Sequence, residues 1–295
     1  MGAWHYAERH MTSFTLKVVA CCCMVVDHIA TFIPGMPLWM HWIGRLSSPL
    51  FIFLIGWSCE FTHDRKRYLT RLYAAGVLMA FVQGALNIPN NIFTCLFQIA
   101  LIITLLSADS ARDRLRNIAL YAAYQLVVIP IFWYVISPLQ LPSMASAVIV
   151  AASGTVVGLS GGLFYVVLGV SMWAVRENRI RLSAVYLGLN LLFALALSPI
   201  GARVVLGLEH HANLAFGVQG IFLMDKVLRL LSIDFMSVGG SALTVNYQWM
   251  MVFALPLMLL YNRRRGPGVK WFFYAFYPAH IVALYGIGMA LGGAA

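Results

Sequence analysis

The first two apolar runs of the chain carry ionisable side chains that could move protons. Asp27 and His28 lie in the run from Phe14 to about Pro34, and Arg45 lies in the run from Leu38 to about Phe61. Ionisable side chains are costly in hydrocarbon and usually face a protein interior or a wet cavity. We therefore predict a functional site between these two runs, with His28 in the outer half of the membrane.

Helical periodicity arranges these side chains along one face of the first run. Lys17, Met24 and His28 fall on one stripe, with Asp27 beside His28. An imidazole has an unperturbed pKa near neutrality, so it can both take and return a proton. We expect Asp27 to orient or charge-stabilise His28, and Arg45 to pair with Asp27. Proton-coupled transport and acyl transfer both use such a pair, and the residues alone leave the choice open.

Further polar residues lie near these two runs or at the ends of later ones. Glu60 is expected to pair with Arg65 or Arg71, and a basic cluster follows it that indicates topology or could hold the phosphates of a cytosolic cofactor. That cluster contains Arg65, Lys66, Arg67 and Arg71.

Two later motifs are also candidates for a role at the site. Asn91 and Thr94 open the fourth apolar run, where Asn91 is typical of a helix N-cap. Tyr277 and His280 flank Pro278 in the last run, where proline is expected to kink the helix and His280 could join the site.

Composition places the chain among polytopic helical membrane proteins. Of its 295 residues, 61% are hydrophobic and only 10% are charged, against about 25% charged in soluble domains. The net charge of +10 comes from short basic links between apolar runs, which favours membrane topology over nucleic-acid binding. Five cysteines lie inside predicted spans and show neither a disulfide framework nor zinc spacing, so no metal is predicted.

The predicted fold is an all-α integral membrane bundle that forms one domain over residues 1–295. Basic links at 65–67, 112–116, 176–181 and 263–265 indicate about nine spans, within a range of eight to eleven, with the N-terminus in the cytoplasm. Residues 1–13 are expected to form a short lead-in. Within 143–175 we favour one crossing preceded by a shallow piece. Residues 199–244 are predicted to be external, with an interfacial helix within Ile221–Ile233 and a solvated loop around Glu209.

Several motifs taken together carry a family resemblance. The runs L-K-V-V-A-C-C-C-M-V-V-D-H-I-A, I-G-R-L-S-S-P-L-F-I-F, R-Y-L-T-R-L, N-I-F-T and K-W-F-F-Y-A-F-Y-P-A-H resemble the TraX family. TraX proteins are acetyltransferases of the bacterial inner membrane that acetylate the N-terminus of conjugative pilin. The first two runs also look like those of the wider transmembrane acyltransferases, which use acetyl-CoA and an essential histidine in an early span. By position, the family's functional residues fall on Asp27, His28, Arg45, Arg71 and His280.

The resemblance implies a mechanism for the candidate residues. Acetyl-CoA would enter from the cytoplasm with Lys17 and the basic cluster of residues 65–71 on its phosphates, and its arm would reach His28 as the catalytic base. Arg45 or His280 would stabilise the thioester oxyanion, and Glu60, Asn91, Thr94 and Tyr277 would support the site. The expected partners are acetyl-CoA, membrane lipids and a pilin.

Three alternatives remain at this point. The acceptor could be a glycan or lipid hydroxyl instead of a pilin amine. The chain could be a proton-coupled transporter of small solutes. It could also be a scaffold in a secretion or pilus assembly, in which the charges serve helix packing alone.

Overall fold

The computed structural model describes residues 11–292, with the backbone alone for Lys270. All secondary structure in that range is helical, apart from one isolated bridge between Met11 and Tyr261. The predicted all-α fold is therefore confirmed for the described residues. Most of the predicted lead-in, residues 1–10, lies outside them.

Thirteen α-helices follow one another along residues 11–292. They are α1 Ser13–Phe32, α2 Trp39–Gly44, α3 Ser47–Phe61, α4 Arg65–Ala85, α5 Ile92–Leu106, α6 Ala111–Ile131, α7 Ser143–Ser153, α8 Gly162–Val175, α9 Arg179–Leu197, α10 Pro199–Phe216, α11 Val218–Leu230, α12 Leu255–Leu259 and α13 Lys270–Ala290. Helix α6 continues through a π-helical turn to Leu139, and a 3₁₀ helix, Tyr247–Ala254, leads into α12.

Five helical segments in residues 11–292 are long and apolar enough to cross a membrane: Ser13–Phe32, Trp39–Phe61, Ala111–Leu139, Arg179–Leu197 and Trp271–Ala290. Four shorter apolar helices accompany them, at Ile92–Leu106, Ser143–Ser153, Gly162–Val175 and Tyr247–Leu259. The expected count of about nine spans is therefore not confirmed. The short helices fall below the length of about 20 residues that usually crosses the hydrocarbon core.

Helices α1, α3, α5 and α8 pack around a shared buried core. Leu16, Leu50, Ile99 and Leu168, one from each helix, are fully buried. At Gly169 the approach is close, because a Cβ there would lie 2.8 Å from side-chain atoms of Ile52 and of Ile99. This contact joins α8 to α3 and α5, and α3 in turn packs against α1, so the four helices form one packed unit.

An ion-pair network closes one end of this unit, which we call the basic end. Glu60 at the end of α3 pairs with Arg176 at 3.1 Å and accepts a hydrogen bond from Trp173 Nε1. Arg263 pairs with Glu177 at 2.9 Å. The expected pairing of Glu60 with Arg65 or Arg71 is wrong, because α8 packs beside α3 and ends next to Glu60.

Residues 199–244 hold more structure than the sequence indicates. The expected interfacial helix corresponds to α11, Val218–Leu230. Before it, α10 extends from Pro199 to Phe216 and packs against α11. The prediction of a loop around Glu209 is wrong, because Ser198 caps a helix that continues through that position with its amphipathic pattern intact.

Candidate functional site

A break in the second predicted span sets the position of Arg45. Helix α2 ends at Gly44 and α3 begins at Ser47, so the expected continuous helix is interrupted. Gly44 lies directly against α1, because a Cβ at this position would come within 2.3 Å of Asp27 Cβ. Since only glycine fits there, the residue type brings Arg45 beside Asp27.

Asp27 is the centre of a polar cluster between α1 and α2. Arg45 Nη2 donates to both carboxylate oxygens of Asp27 at 3.0 Å, which confirms the expected pairing of these two residues. His41 Nδ1 lies 2.7 Å from Asp27 Oδ1, a contact that the sequence analysis missed. Arg45 Nε donates to the carbonyl of His41, and Arg45 Nη1 donates to Gln248 Oε1.

This cluster changes two expected roles. The side-chain contacts of Asp27 run to Arg45 and His41, so the expected orientation of His28 by Asp27 is wrong, while charge stabilisation of His28 by Asp27 stays a prediction. Successive side chains on a helix point about 100° apart, which turns His28 away from its neighbour. Each of the three guanidinium nitrogens of Arg45 likewise donates to Asp27, His41 or Gln248, so the geometry gives no support to oxyanion stabilisation by Arg45.

His28 instead contacts His280 on α13. His28 Nδ1 and His280 Nε2 lie 2.7 Å apart, and the two ring centroids are 4.9 Å apart. His280 is buried, and its Nδ1 lies 2.8 Å from the carbonyl oxygen of Phe276. Although Pro278 lies between Phe276 and His280, α13 is one helix from Lys270 to Ala290. The expectation that His280 joins His28 is confirmed in geometry.

A cavity of about 440 Å³ lies between α1, α3, α4, α5 and α13. On α1 its lining extends from Ser13 to Met24, a rise of roughly 16 Å at 1.5 Å per residue. Met24 is one helical turn before His28. Tyr277, which also lines the cavity, has its ring 6.4 Å from the His28 ring. The cavity therefore leads from the start of α1, at the basic end, to the neighbourhood of the histidine pair.

Basic side chains line this cavity without a carboxylate among the described lining residues. Its basic members are Lys17, His63, Arg71 and Arg265. Arg71 Nε is buried and has no hydrogen-bond partner among residues 11–292. Two of the residues predicted to hold a cofactor, Lys17 and Arg71, are thus brought together.

The other members of the predicted basic cluster point elsewhere. Arg65, Lys66 and Arg67 do not line the cavity. Arg67 is 84% exposed and pairs with Asp64, the N-cap of α4. These three residues form the first turn of α4. The part of α4 that faces the cavity starts after them, at Tyr68.

Arg265 is a lining residue that sequence reasoning assigned to topology alone. The segment before α13 pairs with the start of α1, since Ser13 N donates to the carbonyl of Arg264 at 2.8 Å and Phe14 N to that of Arg265 at 3.1 Å. Gly266 has φ +72°, and a Cβ there would lie 2.5 Å from Thr12 Oγ1. The R-R-R-G-P-G sequence was the available signal, because its glycines permit this close turn.

The supporting residues of the fourth apolar run have structural roles. Asn91 Oδ1 accepts from Phe93 N, which confirms the predicted N-cap, and Asn91 Nδ2 donates to the carbonyl of Gly76. Thr94 Oγ1 donates to the carbonyl of Asn91, and Tyr277 OH donates to that of Asn90. These bonds fix the start of α5 against α4 and α13, beside the cavity.

Within residues 11–292 there is no group of three or more His, Cys, Asp or Glu side chains that could hold a metal ion. The five cysteines are free thiols, and four of them are buried. The chemistry of the site therefore has to be sought in its histidines, Asp27 and the basic lining of the cavity.

The apolar helices define the class of protein, a helical membrane protein with a polar site between its helices. The model of the TraX protein family matches residues 13–288, and the chain belongs to the TraX family. No curated protein matches the chain, and no solved structure matches it.

Proposed function

We propose that the protein is an acetyltransferase of the bacterial inner membrane that moves an acetyl group from cytosolic acetyl-CoA to an acceptor presented at the opposite face. The observation that carries the proposal is the cavity that begins at Ser13 and reaches Met24 and Tyr277, next to His28 and His280. Its volume of about 440 Å³ falls within the usual range of ligand pockets, about 300–1,000 Å³.

The charge of the cavity supports an anionic donor. Lys17, Arg71 and Arg265 supply cationic donors, and no carboxylate is found among the described lining residues. Guanidinium and ammonium groups are the usual partners of phosphates, with charge-assisted hydrogen bonds stronger than neutral ones. The apolar remainder of the lining suits the less polar arm that links the phosphates of CoA to its thioester.

The chemistry assigned to the far end of the cavity is general-base catalysis. His28 takes a proton from the acceptor amine while the nitrogen bonds to the acetyl carbonyl carbon and the carbon–sulfur bond breaks. The proton then goes to the CoA thiolate, which leaves as the thiol. Direct transfer and an acetyl-histidine intermediate are both compatible with this assignment.

The proposed acceptor is the N-terminal α-amine of a conjugative pilin, which rests on the family. A glycan or lipid hydroxyl is the competing acceptor, because a positioned base serves either nucleophile. The proposed topology has the basic end and the N-terminus in the cytoplasm, since basic links favour that side. About nine crossings, some of them by the shorter apolar helices, complete this topology.

Intact-mass measurement of pilin tests the acceptor. Pilin from cells that carry the chain should be heavier by one acetyl group than pilin from a deletion strain, and the increment should return with a plasmid-borne copy. An increment that persists in the deletion strain would exclude pilin as the acceptor. Purified protein incubated with radiolabelled acetyl-CoA and membrane extract would then identify a lipid or glycan product.

A further inference from the structure

The hydrogen bonds of the two site histidines fix where their protons lie. His280 Nδ1 is 2.8 Å from the carbonyl oxygen of Phe276, and a carbonyl can only accept, so His280 Nδ1 carries a hydrogen. A neutral imidazole has a single N–H, which leaves His280 Nε2 with a lone pair. His28 Nδ1, 2.7 Å away, must then donate to it. The remaining nitrogen of His28, Nε2, then carries a lone pair instead of a hydrogen.

We propose that His280 is a positioning residue that holds His28 in the Nδ1–H tautomer, so that His28 Nε2 is the atom that accepts the proton. The inference rests on the proposed function only for naming His28 as the base. In the transfer step, Nε2 takes the amine proton as the carbon–nitrogen bond forms, and gives it to the sulfur released when the carbon–sulfur bond breaks.

The surroundings of His280 suit a fixed orientation. Its ring stacks on Phe276 one turn earlier, with centroids 4.9 Å apart and planes 17° apart, and its plane lies within 9° of the plane of the hydrogen-bonded His28 ring. The side chain is 9% exposed. Ring rotation would break the bond to the Phe276 carbonyl and the stacking together, so the Nε2 lone pair stays directed at His28.

His280 is an unusual orienting group for His28, because the carboxylate of Asp27 is adjacent in sequence and does not hydrogen-bond to His28. Asp27 is occupied by Arg45 and His41. A backbone carbonyl acting through a second histidine therefore replaces the carboxylate that orients histidine in the serine-protease triad. This arrangement fixes the tautomer of His28 without a negatively charged group hydrogen-bonded to its ring.

Two substitutions of His280 separate the acceptor role from packing. In His280→Gln the amide oxygen lies near the former Nε2 position and can accept from His28 Nδ1–H, whereas His280→Leu fills the space without an acceptor. His280→Gln should keep kcat within about tenfold of wild type, while His280→Leu should lower it by about 10²–10⁴-fold, the range seen when a base or its tautomer is lost. The KM for acetyl-CoA should stay unchanged in both. His210→Leu, at an exposed position of α10, is the control.

The outcomes separate this inference from the proposed function. Loss of transfer in His28→Ala together with full transfer in His280→Leu would overturn the positioning role and leave the acetyltransferase intact. A His280→Gln protein as impaired as His280→Leu would also overturn it. Absence of transfer by the wild-type protein would instead remove the proposed function.

A direct measurement covers the case in which His280→Leu does not fold. Nitrogen-15 spectra of wild-type protein labelled at histidine, compared with His28→Gln, should assign a neutral Nδ1–H tautomer to His28. A His28 resonance of the Nε2–H tautomer would contradict the proposal without any variant of His280.

Discussion

At the scale of single residues, Gly44 determines how closely α2 approaches α1. A Cβ at position 44 would fall 2.3 Å from the Cβ of Asp27, well inside van der Waals contact. Asp27 is also held by Arg45 and His41, so it cannot move aside without breaking those bonds. The polar cluster of Asp27, Arg45 and His41 can therefore form only if residue 44 is glycine.

Gly44→Ala should therefore destabilise the protein. Overpacking of a filled site costs about 1–3 kcal/mol, and the cost should appear as a lower thermal unfolding temperature in detergent. The matched control is Gly188→Ala on α9, where a Cβ would meet nothing within 4 Å. That change should leave the unfolding temperature unchanged or raise it slightly, because alanine favours helix over glycine. Equal unfolding temperatures for the two variants would contradict the packing argument.

The residue types of the site could be predicted from the sequence, but not all of their partners. The pairing of Asp27 with Arg45 could be predicted from charge, because oppositely charged side chains in apolar runs usually pair with each other. His41 was missed because it stands one turn before Arg45 in a short helix whose end could not be placed from the sequence. His28 and His280 are 252 positions apart, and their tautomers depend on the distance between α1 and α13.

At the scale of secondary-structure elements, α4 divides its basic residues between solvent and the cavity. Arg71 lies one full turn beyond Arg67, faces the cavity and keeps a buried Nε without a protein partner in residues 11–292. Arg67 is exposed and paired with Asp64. The two arginines are close in sequence, so they form a matched pair for testing which face of α4 meets the donor.

Arg71→Ala should weaken acetyl-CoA binding by roughly ten- to a hundred-fold, since a charge-assisted contact contributes about 1.5–3 kcal/mol. Arg67→Ala should leave the affinity unchanged, because its side chain does not reach the cavity. Isothermal titration of the purified variants with CoA measures both. Equal losses in the two variants would place the donor on the exposed start of α4, and no loss in either would move the donor site away from α4.

The element boundaries explain which part of the topology was predictable. Asn91 is an N-cap that the sequence displays directly, and α5 begins where this residue predicts. Asp64 caps α4 in the same way, but the basic residues after it were assigned to a link. The break between α2 and α3 was missed although Gly44 precedes it and Pro49 lies in the first turn of α3, because the apolar run continues through both. Helix α10 was missed because polar residues inside it resemble a loop when read without the Ser198 cap.

At the scale of the whole molecule, the first and last helices of the described residues, α1 and α13, lie together. The start of α1 pairs with residues 264 and 265, and the histidine pair links α1 to α13. The site therefore requires the first and last apolar runs to pack together. Composition could predict a helical membrane protein, whereas the number of crossings depends on whether apolar helices of 10–17 residues span the bilayer, which hydropathy does not determine.

The proposed topology can be mapped by cysteine labelling in a background without native cysteines. Arg264→Cys should resist a membrane-impermeant maleimide added to intact spheroplasts and react after permeabilisation. His210→Cys on α10 should react without permeabilisation, because residues 199–244 are proposed to be external. The reverse labelling pattern would invert the topology and place the cavity mouth on the wrong side for a cytosolic donor.

The central claim is that the cavity delivers the donor to His28, and acetyl transfer by His28→Ala tests it most directly. Purified wild-type and variant proteins would be given labelled acetyl-CoA and pilin, with CoA affinity and unfolding temperature measured on the same samples. We predict that His28→Ala binds CoA and unfolds as the wild type does, yet transfers acetyl about 10²–10⁴-fold more slowly, the usual cost of removing a general base. A folded His28→Ala protein that acetylates pilin at the wild-type rate would contradict it.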